Sequence, residues 1–142
     1  MTNTQANREL MSHVFSELAK GNRLPFREAM ADDMVWTTVG TSIWSDTFRG
    51  RKQIAEELIG PLFEQYADTY TSTPKRIIAD GDTVVVETRG GVTTKAGKRY
   101  ENSYCMIFRL EGGKMKELVE YCDTILVDQM LVRPGHASAA AT

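Results

Sequence analysis

Between about residue 69 and residue 124 the chain is a run of four strand-like segments with little but turns between them. They cover 69–79, 82–93, 98–110 and 114–124, and the turns are "DGD" at 80–82, "KAG" at 95–97 and "EGG" at 111–113. Each turn carries a glycine for the positive-φ position of a tight hairpin. Strands joined this closely form an antiparallel meander, because a parallel crossover needs a dozen or more residues. Strands of ten residues and more exceed the usual length, so the sheet is expected to curve strongly.

Helical signals precede the meander. Leu10, Met11, Val14, Phe15 and Leu18 form an apolar stripe at helical spacing over 5–20, with Asn3 or Thr4 as N-cap and Gly21 past the end. "LPFREAMADD" predicts a short second helix with Pro25 in its first turn. "MVWTTVG" reads as a strand closed by Gly40, and "TSIWSDTFRG" as a polar loop with room for a short strand. A third helix starts near Arg51 and carries Ile54, Leu58 and Ile59; Gly60-Pro61 is expected to interrupt it, although "LFEQYA" can extend it by a turn or two. Helices and strands are thus segregated, which defines an α+β fold. A long curved sheet over three helices makes a cone with an internal pocket. The expected domain is residues 1–131, and "VRPGHASAAAT" at 132–142 is expected to be a flexible tail.

Composition narrows the partners. The 142 residues suit one domain, and the net charge of −2 comes from interspersed acids and bases, with no polycationic patch for nucleic acid. No apolar run approaches the length of a membrane span. Cys105 and Cys122 follow no secretory signal, so they are expected to be reduced thiols in a cytoplasmic protein. Two cysteines and two separated histidines give no metal-ligand spacing. "RGG" at 89–91 lacks the strand-to-helix context of a dinucleotide loop, so no cofactor is expected.

Which residues face the pocket follows from alternation. In "YENSYCMIFRL", Tyr100, Asn102, Tyr104, Met106, Phe108 and Leu110 share the inner face. That face is greasy at Met106, Phe108 and Leu110, and carries polar tips at Tyr100, Asn102 and Tyr104. In "VVVETRGGV", Val84, Val86 and Thr88 oppose Val85, Glu87 and Arg89, and both faces begin apolar. A strand apolar on both faces is covered on both, which suggests a second subunit on the outer side. Glu87 and Arg89 are then a rim pair or pocket residues. In "KELVEYCDT", Glu120 shares a face with Leu118 and Cys122. If Leu118 packs inward, Glu120 follows it and becomes a desolvated carboxylate with a raised pKa; if Tyr121 packs inward, Glu120 meets solvent.

In this order, "MADDMVWTTVG", "FRGRKQI", "GKRYENSY" and "GGKMKELVEYCDT" resemble the SnoaL-like, ketosteroid-isomerase-related group of the NTF2-like superfamily, over roughly residues 5 to 130. The resemblance implies an apolar pocket inside the cone and a homodimer through the outer sheet face. It also implies that Glu120 lines the pocket, since cyclases and epoxide hydrolases of the group carry an acid a few residues after the "GK" turn. Arg89 is implied to face the cavity, because the epoxide hydrolases place an arginine there. The chain departs from those enzymes at Gly91, where they carry an aspartate. It departs from the ketosteroid isomerases in "VWTTVGTS", which offers hydroxyls such as Thr38 but no acid, and from scytalone dehydratases in the placement of His13 and His136.

The expected function is acid–base catalysis on a small apolar carbonyl compound, of isomerase, cyclase or dehydratase type. Glu120, Tyr104 and Arg89 are the candidate catalytic residues. Trp36, Trp44, Asn102, Met106, Phe108, Glu87 and Thr38 are the candidate ligand contacts. The alternative is a non-catalytic dimeric module for an apolar ligand or a protein partner.

Overall fold

The computed structural model describes residues 2–136. Helix α1, Asn3–Leu18, buries Met11, Val14, Phe15 and Leu18. Its N-cap is Thr2, one residue before Asn3 and two before Thr4, the expected caps, because Gln5 completes a reciprocal capping box with Thr2. Helix α2, Leu24–Ala29, is shorter than expected. The last residues of "LPFREAMADD" instead open strand β1, Met30–Thr38. Strand β2, Asp46–Arg49, follows the polar loop.

Residues 51–63 form one helix, α3, in three registers: Arg51–Gln53 is α-helical, Ile54–Ile59 π-helical and Gly60–Phe63 α-helical again. The expected break at Gly60-Pro61 does not occur. Proline cannot donate a hydrogen bond and its ring crowds the preceding turn. The wider π register absorbs both, with the Gly60 N–H reaching back to the Ala55 carbonyl.

The meander is strands β3 Thr71–Asp80, β4 Thr83–Thr93, β5 Arg99–Glu111 and β6 Lys114–Cys122. The sheet order is β2-β1-β6-β5-β4-β3, with β1 parallel to β6 and the other pairs antiparallel. Gly81 and Gly97 take positive φ in their turns, as the hairpins require. Asn7 and Thr4 of α1 bond the backbone of Gly81, at 2.9 and 2.8 Å, and so fix the helix across the sheet.

The core lies between the helices and the concave face. Phe15 meets Phe108 edge-on at 5.9 Å, Phe26 meets Phe108 at 6.3 Å, and Phe26 meets Trp36 at 5.8 Å. A last helix, α4, Thr124–Met130, was not expected from the sequence; the Asp123 side chain caps it by accepting from the Leu126 N–H. Beyond it the chain does not fray at once. Gln65 bonds both the N–H and the C=O of Val132, and Arg133 is buried, bonded to the Ile43 carbonyl and to Asp46. The rest of the expected tail, 137–142, lies outside the described residues. Among the described residues no helix is long and apolar enough to cross a membrane.

Candidate functional site

Above the packed aromatic layer the cone encloses a cavity of about 340 Å³. Strand β1 contributes Trp36 and Thr38, β5 contributes Tyr100, Tyr104 and Met106, and β6 contributes Glu120 and Cys122. Phe26, Leu58, Phe63, Tyr66 and Tyr70 close it from the helical side. Trp44 reaches in from the loop before β2, and Thr38 holds that loop by donating to the Trp44 carbonyl. Asp128 of α4 accepts from the Ser42 hydroxyl at 2.5 Å and from the Ile43 N–H at 3.2 Å, tying the loop to α4.

Register explains why a carboxylate points into this space. Glu120 lies opposite Met106 on β5 and Thr38 on β1, two residues along from Leu118, which packs opposite Phe108 and Trp36. Leu118 is fully buried, and a period of two brings Glu120 in behind it. Glu120 is half-buried and lines the cavity. Among the described residues it receives one hydrogen bond, from Trp36 Nε1 at 3.3 Å, and no cation lies within ion-pair distance. Burial pushes its carboxyl up to about 7, and the Trp36 N–H opposes that rise. Glu120 is the only carboxylate among the described residues lining the cavity.

Four tyrosines surround the same space. Tyr66 and Tyr70 stack with centroids 5.7 Å apart. The Tyr100 and Tyr104 hydroxyls are 2.6 Å apart, and Asn102 Nδ2 donates to the Tyr100 oxygen at 2.9 Å. Burial raises all four phenols well above the ordinary tyrosine range, and Glu120 adds to the rise, so they stay protonated donors at neutral pH. Gly90 makes room for this cluster: a Cβ there would lie 2.3 Å from the Tyr70 hydroxyl. Burial likewise lifts the Cys122 thiol, to about 12. Cys122 faces inward and Cys105 outward, and both are free.

Trp36, Trp44, Thr38, Tyr104, Met106 and Glu120 therefore line one cavity, and four other expected residues do not. Arg89 is exposed on the outer face and donates to Ser103 at 2.9 Å. Glu87 is on the same face, paired with Arg76 at 3.0 Å. The inner set of β4 is Val84, Val86 and Thr88, which alternation forces to oppose Glu87 and Arg89. Phe108 belongs to the packed layer below the cavity, against Phe15 and Phe26. Asn102 stands behind Tyr100, with its amide also bonded to the backbone of Asp123. Sequence reasoning missed Phe26, Phe63, Tyr66 and Tyr70. For Phe63, Tyr66 and Tyr70 the signal was the i, i+3, i+7 spacing of the aromatics in "LFEQYADTY", which puts all three on one side of a helical turn; Phe26, alone in "LPFREA", carried no such signal.

The fold is thus an α+β cone that encloses a largely apolar cavity with one inward carboxylate. The SnoaL-like domain family matches residues 12–118, and the chain belongs to it. That match ends two residues before Glu120. The structure is similar to Bal32a from a soil-derived mobile gene cassette, with TM-score 0.78 and 19% identity, covering 92% of this chain and all of the other. It is similar to an NTF2-like protein of Burkholderia thailandensis, with TM-score 0.73 and 22% identity over 87% and 95% of the two chains. It is also similar to an LEH-like epoxide hydrolase of M. tuberculosis, with TM-score 0.66 and 20% identity over 90% of each. These likenesses show the NTF2-like fold. No curated protein gives a significant match.

Proposed function

We propose that the protein is a cofactor-independent acid–base enzyme acting on a small, largely apolar carbonyl compound. The observation that carries this is Glu120, a carboxylate desolvated in a largely apolar cavity, with no cation within ion-pair distance among the described residues, and poised near neutrality. The ionised carboxylate takes a proton from the carbon α to the substrate carbonyl and becomes the neutral acid. Negative charge moves to the carbonyl oxygen, where the Tyr104 O–H donates to it. Asn102 supports that role from behind. It donates to the Tyr100 oxygen and so holds Tyr100 in place, hydroxyl to hydroxyl with Tyr104. Returning the proton at another carbon gives isomerisation, attack of the enolate on a second carbonyl gives cyclisation, and loss of a β-hydroxyl gives dehydration.

Exchange of α-protons of α-tetralone and related ketones in deuterated buffer tests the step directly by mass spectrometry. The expected result is protein-dependent exchange that rises with pH through about 7 and falls by about a hundredfold or more in Glu120→Gln. Exchange absent from every ketone, or indifferent to Glu120→Gln, would leave the non-catalytic binding module as the better reading. The hydrocarbon and aromatic walls of the cavity suit that second reading equally well.

We also infer that a second copy covers the outer sheet face in a cytoplasmic homodimer. Ile78, Val85, Ile107 and Val119 stand directly opposite one another across β3, β4, β5 and β6, an apolar row with Ile78 53% exposed. Light scattering on the wild type should give twice the chain mass, and Ile107→Lys should give one chain mass. A monomeric wild type sinks this inference.

A further inference from the structure

The charged side chains lining the cavity are unevenly divided. Arg23, Arg27 and Arg51 stand against the single carboxylate of Glu120, in a chain whose net charge is −2. All three arginines keep contact with solvent, so they mark the mouth, between α2 and α3. Their guanidinium groups are not equivalent. Arg51 is committed to the structure, donating to the Met30 carbonyl at 3.0 Å and the Arg27 carbonyl at 2.7 Å. Arg23 is held in place from one side only, with its guanidinium carbon 3.9 Å above the Phe63 ring. Among the described residues it has no carboxylate within 4.0 Å and its guanidinium makes no hydrogen bond. Glu17, the nearest acid before it in sequence, is occupied by Asn22 at 3.2 Å and Lys20 at 3.5 Å.

An arginine in this setting is unusual. Burial and the neighbouring Arg27 both disfavour its charge, so both draw its pKa down. Guanidinium groups that are half-buried are ordinarily matched by a carboxylate or by carbonyls. Here a guanidinium with five N–H groups lines an apolar cavity, backed by the Phe63 ring and without a hydrogen-bond partner among the described residues. That is a fork prepared for a planar oxyanion.

Resting on the cavity reading given above, we propose that the ligand is an apolar carboxylic acid, bound with its carboxylate on Arg23 at the mouth and its body directed inward toward Glu120. Arg27, exposed beside Arg23 and with no acid paired to it among the described residues, adds attraction without fixing the geometry. The two acids do not compete. The ligand's carboxylate stays at the solvent edge, while Glu120 lies among Trp36, Met106 and the tyrosines.

Calorimetric titration with 2-naphthylacetate and its neutral isostere 2-naphthylacetamide tests the proposal. At low salt and a pH of about 6, the wild type should bind the acid about tenfold or more tightly than the amide. Raising the salt from about 20 mM to about 500 mM should weaken the acid and leave the amide unchanged. Arg23→Gln should abolish the preference while keeping the amide affinity, which also reports that the variant is folded, and Arg23→Lys should keep part of it. Equal binding of acid and amide by the wild type would overturn the carboxylate anchor and leave the cavity reading intact. A preference that survives Arg23→Gln would overturn it too. Binding of neither probe would overturn both.

Discussion

The two ends of the inner sheet face are made by the same two strands, yet one end is closed and the other open. At the closed end Phe108, Leu110, Met115 and Leu118 of β5 and β6 are each no more than 2% exposed, and Phe108 packs against Phe15 of α1 and Phe26 of α2. At the open end the next inward positions are Met106, Tyr104 and Glu120, which border the cavity. The inward set continues unbroken through both ends; only the side chains change, from hydrocarbon to hydrocarbon with a polar tip. Packing at the closed end holds the register that turns Glu120 inward, where its charge is unfavourable to the fold. The packed core is concentrated at one end of the cone, and the open end holds the site proposed to carry the chemistry.

Truncation at the closed end should have the largest effect. Phe108→Ala removes a fully buried ring shared by Phe15 and Phe26, and should cost about 4 kcal/mol in urea unfolding. The next effect runs the other way. Glu120 has its carboxyl raised from the ordinary 4.5 to about 7 by burial. The folded chain therefore binds more protons than the unfolded chain across that interval. The associated stability is full below about 4.5 and is lost as pH rises through about 7. Glu120→Gln keeps an acceptor for the Trp36 N–H but cannot ionise. Relative to wild type its stability should grow by about 3 kcal/mol between pH 4.5 and pH 8.5, and unfolding curves at the two pH values read this difference. The smallest effect belongs to Met106→Ala, which enlarges an existing cavity and should cost about 2 kcal/mol. If Met106→Ala cost as much as Phe108→Ala, the division between a packed and an open end would fail.

How much of this was legible in the sequence varied from strand to strand. β5 alternates without ambiguity, so its inward set could be read in full, although not which members reach the cavity. Asn102 and Phe108 are inward but lie behind Tyr100 and beneath Met106, a distinction of depth that alternation does not encode. On β4 both faces begin with valine, because Val85 joins the outer apolar row. Neither parity was therefore favoured, and the implied inward Arg89 fell on the wrong side. Helix α3 defeated local rules because a π register absorbs Pro61. Helix α4 is seven residues long and begins with β-branched Thr124 and Ile125. Its formation rests on the Asp123 cap and on the bonds of Asp128 to the distant loop.

The most direct measurement is the titration of the Glu120 carboxyl, followed by side-chain carbon NMR with Glu120→Gln to assign the signal and repeated in Arg89→Ala. A midpoint near 7, unmoved by Arg89→Ala, is the predicted result and places an uncompensated carboxylate in the cavity. A midpoint near the ordinary value of about 4.3 would contradict the desolvated base, and with it the chemistry assigned to the open end of the cone.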